Sequence, residues 1–430
     1  MIGILLQDNG FEQDIRELLM AFYPGEKFVH QETEGAEFYV KGTPGEGVYR
    51  LELDGDEAEF PVPEDDRLET KNRIKRNLYQ LLKKRTGRSL PWGTLTGIRP
   101  TKIPLTKLAE GWSREQITDF MKKTYFAGDD KIALSVEIAE RERELLSRIS
   151  YKNGYSLYVG IPFCPTTCLY CSFTSYPIGK WEKRMDEYLG ALFQELEYTA
   201  DRMKGKVLDT VYFGGGTPTS LSADHLDQVI SKVEELFDLS GVQEFTVEAG
   251  RPDSITREKL EVLRRHGITR ISINPQTMNQ KTLDVIGRRH TVEMVKEKFA
   301  LARELGFDNI NMDLIIGLPG EDMEDVKHTL EEVKSRGPDS LTVHSLALKR
   351  AARLNLEWDQ YADMGMVNTQ EMIDLTAHAA REMGMEPYYL YRQKNMAGNF
   401  ENVGYSLPGK ACIYNILIME EMQTIAACGA

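Results

Sequence analysis

From residue 151 onward the chain falls into a repeat: a short β-branched or aromatic run, then ten or more residues with apolar side chains at helical spacing. Six such units are present, with strands expected at SLYVGI (156–161), TVYFG (210–214), EFTVEA (244–249), RISIN (270–274), NINMDLII (309–316) and SLTVHSLAL (340–348). Helices are expected near 181–203, 222–237, 255–266, 279–287, 291–305 and 321–335. Strands joined by helix-length crossovers pair in parallel, and a parallel sheet buries its faces under those helices. The pattern therefore predicts an α/β fold, an open or closed (β/α)6 barrel over residues 151–356. In such folds the site forms at the carboxyl ends of the strands, so an unusual residue just after a strand outweighs one elsewhere.

The flanks read differently. Residues 1–62 alternate in FYVKG, VYRLELD and AEFPV between Gly/Asp turns, with one helix expected over 12–22, which predicts a small α+β domain. Residues 63–150 read as a helical connector, with apolar spacing in NRIKRNLYQLLKK, WSREQITDFMKK and KIALSVEIAERERELLSRI. Within it, PWGTLTGIRPTK sets Arg99 and Lys102 in a Gly/Pro frame, a linker by composition, with a partner or anion site as the other reading. Residues 357–430 form a C-terminal region: a helix over 366–383, the loop-rich PYYLYRQKNMAGNFENVGYSLPGK, the apolar IYNILIMEEM, and an ending at ACGA.

The 430 residues, 41% hydrophobic and 28% charged, exclude a disordered or fibrous chain. A net charge of −14 argues against a phosphate-backbone partner, which needs basic surface. No apolar run reaches the roughly 18 residues of a membrane span. MIGILL breaks at Gln7-Asp8 without a cationic flank, so a cytoplasmic location is expected.

Of five cysteines, three crowd into Cys164-Pro-Thr-Thr-Cys168-Leu-Tyr-Cys171, directly after the first expected strand. That spacing points to metal rather than disulfides. Structural zinc wants four protein ligands, and the nearest histidine, His225, falls in an expected helix. A [4Fe-4S] cluster accommodates three thiolates and leaves one iron open to a chelating cofactor. Cys412 and Cys428 read as small buried hydrophobes.

Together, YVGIPFC from Tyr158, YFGGGTPT from Tyr212, RISINPQT from Arg270, GRRHT from Gly287 and DLIIGLPGE from Asp313 resemble the radical S-adenosylmethionine (SAM) superfamily. Within it they resemble the oxygen-independent coproporphyrinogen III dehydrogenase group of HemN, HemW and HemZ, most closely the HemZ branch. The resemblance covers roughly residues 151–430, and an N-terminal extension ahead of the core is itself HemZ-like. It implies a partial (β/α)6 radical SAM barrel with Cys164, Cys168 and Cys171 on a [4Fe-4S] cluster. It implies SAM contacts at Gly214, Gly215, Gly216 and Thr217, and at Tyr158, Tyr170, Glu248, Gln276, Arg288, Asp313 and Ala347, with a second SAM held beside the first. The activity implied is oxidative decarboxylation of coproporphyrinogen III propionates to the vinyls of protoporphyrinogen IX through a 5′-deoxyadenosyl radical. The implied electron donor is a reduced flavodoxin or ferredoxin.

Departures from the pattern bear on the substrate. Gly160 replaces the family's usual histidine, and Ser172-Phe173 replaces Gly-Cys after the third cysteine, a Cys-x-Phe ending like that of the heme chaperone HemW. YRQKN (391–395) stands where the family has YExSN, while Asn415 and the terminal CGA match later landmarks beyond which a helical tail is expected. A tetracarboxylate needs local positive charge on an acidic chain, and the candidates are Lys349, Arg350, Arg392 and Lys394. Two other readings stand beside the dehydrogenase: a heme-binding carrier of the HemW type, and a radical SAM tetrapyrrole methyltransferase or heme-opening enzyme.

Overall fold

The computed structural model describes residues 1–150, 152–393 and 400–430. The chain divides into two compact units, Met1–Ala139 joined by Arg392, Gln393 and Phe400, and Glu140–Tyr391 with Glu401–Ala430.

In the first unit, β1 (Ile2–Leu6), α1 (Glu12–Phe22), β2 (Phe28–Val29), β3 (Phe38–Pro44), β4 (Val48–Leu53) and β5 (Asp56–Pro61) form a five-stranded sheet in the order β2-β1-β3-β4-β5 with one covering helix. The opening MIGILL forms the inner strand β1, parallel to both β2 and β3. Helix α1 turns Ile15, Leu18, Leu19 and Phe22 inward at i, i+3, i+4, i+7. Then follow α2 (Arg67–Thr86), α3 (Lys102–Ala109), α4 (Arg114–Tyr125) and α5 (Asp129–Leu146), which runs on into the second unit. Asp66 caps α2 at its start, and Gly87 ends it in the left-handed conformation. Ile74, Leu78 and Leu82 of α2 join the core of α1 and the sheet.

PWGTLTGIRPTK is not a loose linker. Trp92, Thr94 and Thr101 are buried, the Thr94 N–H donates to the Tyr125 carbonyl at 2.7 Å, and Lys102 already begins α3. Pro104 is tolerated there because first-turn N–H groups have no helical acceptor.

The second unit opens with β6 (Gly154–Ile161), β7 (Phe163–Cys164) and β8 (Tyr176–Pro177). It continues through α6 (Met185–Arg202), β9 (Val207–Gly215), α7 (Ala223–Leu236), β10 (Glu244–Glu248), α8 (Arg257–Arg265) and β11 (Arg270–Ser272). Next come α9 (Gln280–Val285), α10 (Val292–Glu304), β12 (Ile310–Ile316), α11 (Met323–Arg336), β13 (Ser340–Ser345), α12 (Arg353–Leu356) and α13 (Gln370–Glu382). The last elements are β14 (Glu386–Tyr391), β15 (Asn402–Ser406), α14 (Ile413–Met419) and β16 (Thr424–Gly429).

Strands β6, β9, β10, β11, β12 and β13 lie side by side in chain order and pair in parallel, as their alternation with helices requires. The ladder continues to β15 and β14 at one edge and β16 at the other, so among the described residues it is an open, barrel-like sheet. Its edges correct the C-terminal reading. Part of the stretch read as loop-rich forms β14 and β15, antiparallel neighbours at the β13 edge, and the segment ending in ACGA is β16, paired parallel with β6 from Thr424↔Tyr155 to Gly429↔Gly160.

Candidate active site

The loop from β6 to β8 carries the three cysteines and is clasped at both ends. Phe163 and Cys164 pair with Tyr176 and Pro177, and the Tyr176 N–H donates to the Pro162 carbonyl at 2.8 Å. Its middle is pinned by Leu169, 2% exposed among Leu283, Ile286, Leu318 and Leu354. Leu169 N–H donates to Ile286 and Leu354 N–H donates to Leu169, both at 2.9 Å. Arg251, 3% exposed, bonds Asp253 through Nε and Nη2 at 2.9 and 2.7 Å. The same guanidinium reaches the Thr166 carbonyl at 3.1 Å and the Cys168 Sγ at 3.3 Å. A buried cation is thereby neutralised by Asp253 and held against a sulfur.

The turn after β9 abuts this loop. Gly216 N–H donates to Ile161 and Thr217 N–H to Phe163, at 2.8 and 2.7 Å, and Thr217 Oγ1 lies 3.4 Å from Cys164 Sγ. A Cβ on Gly216 would sit 2.7 Å from the Phe163 carbonyl oxygen, and Gly215 adopts φ +100°, so the approach requires glycine at both positions.

A cavity of about 360 Å³ opens over these turns and extends across the strand ends. Cys164, Cys168, Cys171, Tyr170, Gly215, Gly216, Thr217, Glu248, Gln276, Arg288 and Asp313 all line it. Three sequence candidates, Tyr158, Gly214 and Ala347, are not among its lining residues. Tyr158 stands behind the wall, stacked on Tyr212 at 6.2 Å. The substrate-side cations are not gathered there either. Lys349 and Arg350 follow β13 without lining the cavity, and Arg350 is exposed. Arg392 is buried in the first unit, donating to the Leu95 carbonyl at 2.6 Å with its guanidinium over the Trp92 ring, so it is a structural residue there. Lys394 lies outside the described residues.

Arg288 donates to Tyr170 Oη at 3.0 Å and to the carbonyls of Gly250 and Asn274 at 2.8 Å each, leaving only Nε without a partner. It is a brace that ties the cysteine loop to the turns after β10 and β11 rather than a free cation. Glu248 accepts a short hydrogen bond from Tyr212 Oη. Burial pushes the Glu248 carboxyl up to about 7, against the Tyr212 bond that favours its ionised form. Burial also pushes Asp313 upward, but His344 and the hydrogen bonds from Asn311 and Thr342 outweigh it and hold this carboxyl below its ordinary range. Two carboxyls of one cavity are thus shifted in opposite directions, Glu248 up and Asp313 down.

Two lining residues that the sequence reading did not single out, Ser272 and Asn274, join the predicted Gln276 in a polar floor. Ser272 ends β11, and Asn274 and Gln276 follow it on the connecting turn; all three line the cavity. Ser272 Oγ, Asn274 Oδ1 and Gln276 Oε1 are buried without a hydrogen-bond partner. Gln276 holds φ +68°, a left-handed conformation uncommon outside glycine, fixed by its N–H to Asp313 O and its carbonyl to Ile315 N, both at 2.9 Å. Ser272 and Asn274 fall inside the RISINPQT run, which is the signal that could have found them. Tyr391, which opens the YRQKN run, lines the cavity too, as do Arg251, His344, Tyr389 and Met419, which no local motif marks.

The residues fit an iron–sulfur cluster and a polar cofactor. Among the described residues no three Cys, His, Asp or Glu converge on a single-ion position. Three thiols spread over one cavity suit a cluster, in which each thiolate takes a different iron, better than one tetrahedral zinc. Among the described residues the carbonyl oxygens of Asn274 and Gln276 have no hydrogen-bond partner, and they fit donors such as the ammonium and ribose hydroxyls that SAM would bring.

Comparison with known proteins agrees with this geometry. The Radical SAM superfamily model matches residues 158–333. The oxygen-independent coproporphyrinogen-III oxidase-like protein HemZ of Bacillus subtilis (strain 168) is 46% identical over 368 residues, covering 84% of this chain and 74% of that one. The heme chaperone HemW of the same strain is 38% identical over 195 residues, 45% of this chain and 51% of its own. The oxygen-independent coproporphyrinogen III oxidase of Escherichia coli (strain K12) is 33% identical over 192 residues, 45% and 42%. The match thus spans about half the length of the latter two relatives. The solved structure of Escherichia coli HemN, a coproporphyrinogen III oxidase and radical SAM enzyme, superposes with TM-score 0.52 at 26% identity, covering 62% of this chain and 58% of that one. With three cysteines, a glycine turn and a polar strand-end floor on one parallel sheet, and this identity running through most of the chain, the protein belongs to the HemZ family of radical SAM proteins.

Proposed function

We propose that this protein is a radical SAM enzyme acting on a tetrapyrrole, and that its reaction is oxidative decarboxylation of coproporphyrinogen III propionates to vinyl groups. The observation that carries the reading is one cavity joining the three cysteines to unpartnered polar atoms at the ends of neighbouring strands. Cys164, Cys168 and Cys171 would hold the cluster. Gly215, Gly216, Thr217, Tyr170, Glu248, Gln276, Arg288 and Asp313, which line the cavity, would receive SAM. Cluster and cofactor, when bound, supply one-electron cleavage of the sulfonium and a hydrogen-abstracting carbon radical.

The chain's own residues bind, orient and exclude water. Arg251 holds a fixed, buried positive charge against the Cys168 sulfur, where a thiolate ligand would need a counter-charge. Asp313, kept ionised, is an acceptor for hydroxyl or ammonium, and Glu248, accepting from the Tyr212 hydroxyl and raised by burial, can take up a proton near neutral pH. Tyr389, Tyr391 and Met419 give the far wall an apolar, aromatic character suited to a macrocycle.

A second reading, a heme carrier that keeps the cluster, is favoured by Phe173. It follows the third cysteine as in the chaperone pattern and stands 75% exposed. Anaerobic incubation of the reconstituted protein with coproporphyrinogen III, SAM and a reductant separates the two. Protoporphyrinogen IX detected by mass spectrometry supports the enzyme. Unchanged porphyrinogen together with tight heme binding overturns it in favour of the carrier, and methylated or ring-opened product points to a third activity on the same scaffold.

A further inference from the structure

The first unit contains a second cavity, of about 260 Å³, built where α1, α2 and the buried PWGTLTG segment meet. Its charges are sorted by element. Asp14 and Glu17, three residues apart, line it from α1; Lys71 and Lys75, four apart, line it from α2. Lys75 is 7% exposed, and the one hydrogen bond its ammonium makes runs to Thr96 Oγ1 at 2.7 Å. Thr96 passes its own proton to Glu17 at 3.1 Å. Asp14 has no hydrogen bond or ion pair among the described residues, and no ion pair joins it to Lys71 or Lys75.

Opposite charges facing each other across a gap are costly where they are partly stripped of water without an ionic partner, as Asp14 and Lys71 are among the described residues. Two helices stabilised by a structural ion pair would close the gap. Here burial pulls Lys75 down to about 8, with Asp14 and Glu17 opposing the fall, so the charges feel one another without touching. Leu95 and Ile103 add an apolar wall, and Gly97 leaves the rim open.

We propose that this cavity binds a small zwitterion of the α-amino acid class with an apolar side chain, its carboxylate toward Lys71 and Lys75 and its ammonium toward Asp14. The site gives the N-terminal unit a ligand of its own, independent of the chemistry proposed for the second unit. A molecule carrying both charges satisfies both helices at once, whereas a simple anion leaves Asp14 facing a like charge and a simple cation does the same to the lysines.

The test is thermal shift and calorimetry on the full chain, with L-leucine and L-methionine as probes, and with isovalerate and isoamylamine as the carboxylate and amine halves of leucine. Saturable stabilisation by an amino acid at millimolar concentration is expected, with either half-ligand weaker by about tenfold or more, as loss of a charged hydrogen bond implies. Lys71→Met and Asp14→Asn sit on half-buried positions and should keep the unliganded melting temperature while weakening the amino acid by a similar factor. No stabilisation by either amino acid, an equal response to a half-ligand, or unchanged affinity in both variants overturns the proposal.

Discussion

Glu248 shows how much of this site is decided by a single proton. Its carboxyl has an ordinary value of 4.5 and is raised by burial to about 7, so the folded state holds the proton more tightly than the unfolded chain does. The groups facing it are Tyr212, whose hydroxyl donates to it, Tyr158, Asp313 and Arg270. A raised carboxyl contributes its stability fully below pH 4.5 and loses it as pH climbs to about 7, at no more than about 1.4 kcal/mol per pH unit. The cofactor-free protein should therefore lose stability from this group between pH 5 and 7, on the order of 2–3 kcal/mol in all. Glu248→Gln should remove that slope, so denaturant unfolding of both proteins across this range ought to give converging curves; parallel curves would mean the carboxyl titrates normally. Asp313 makes the opposite case, held low by His344, Asn311 and Thr342. Asp313→Asn should weaken SAM binding by about tenfold, the worth of one charge-assisted hydrogen bond, while circular dichroism stays unchanged. Equal affinity would remove Asp313 from the site.

At the level of elements, the cysteine loop is held from outside itself. β7 and β8 close its ends, Arg251 binds its sulfur, and the glycine turn after β9 packs against Phe163. Gly216→Ala would drive a methyl into the Phe163 carbonyl, at a cost of about 1–3 kcal/mol, and would push Thr217 off Cys164. Iron content after anaerobic reconstitution should fall while helix content is kept; full loading would show that the turn does not position the cysteines. Cys164→Ala, Cys168→Ala and Cys171→Ala should each lose the visible absorption of the reconstituted cluster and stop SAM cleavage, and a fully loaded cluster in all three would refute the ligand set. These elements were legible because period-two runs and helical spacing alternate cleanly from β6 to β13. The edge strands were not. Pro387, Gly404 and Pro408 look like punctuation, yet Gly404 lies inside β15 because a side chain there would collide with the Tyr389 ring of β14. Arg392 was misread for a related reason: a cation after a tyrosine-rich run looks like a ligand, and only the fold shows it spent on the Leu95 carbonyl.

At the scale of the whole second unit, the strand feeding the cysteines is an inner strand only because the C-terminal segment comes back to it. β6 lies between β9 and β16, and β16 brings Ala426 and Cys428 inward while the Gly429 N–H donates to Glu195 of α6 at 2.6 Å. Cys428 Sγ sits 3.2 Å from Thr199 Oγ1, so the buried thiol belongs to packing between sheet and helix. Deleting residues 423–430 would strip one side of β6 from Tyr155 to Gly160, at about 1 kcal/mol for each ladder hydrogen bond left to water. The strand ends at Ile161, three residues before Cys164, so fraying of β6 is transmitted to the first thiol without an intervening element. Hydrogen exchange on the shortened protein should show lost protection in β6 and preserved protection in β12 and β13, whose ladder does not involve β16. Iron loading should fall with the β6 protection. If β6 stays protected and iron loads fully, the return strand is dispensable, and the cysteine loop is held by its clasp, Arg251 and the glycine turn alone.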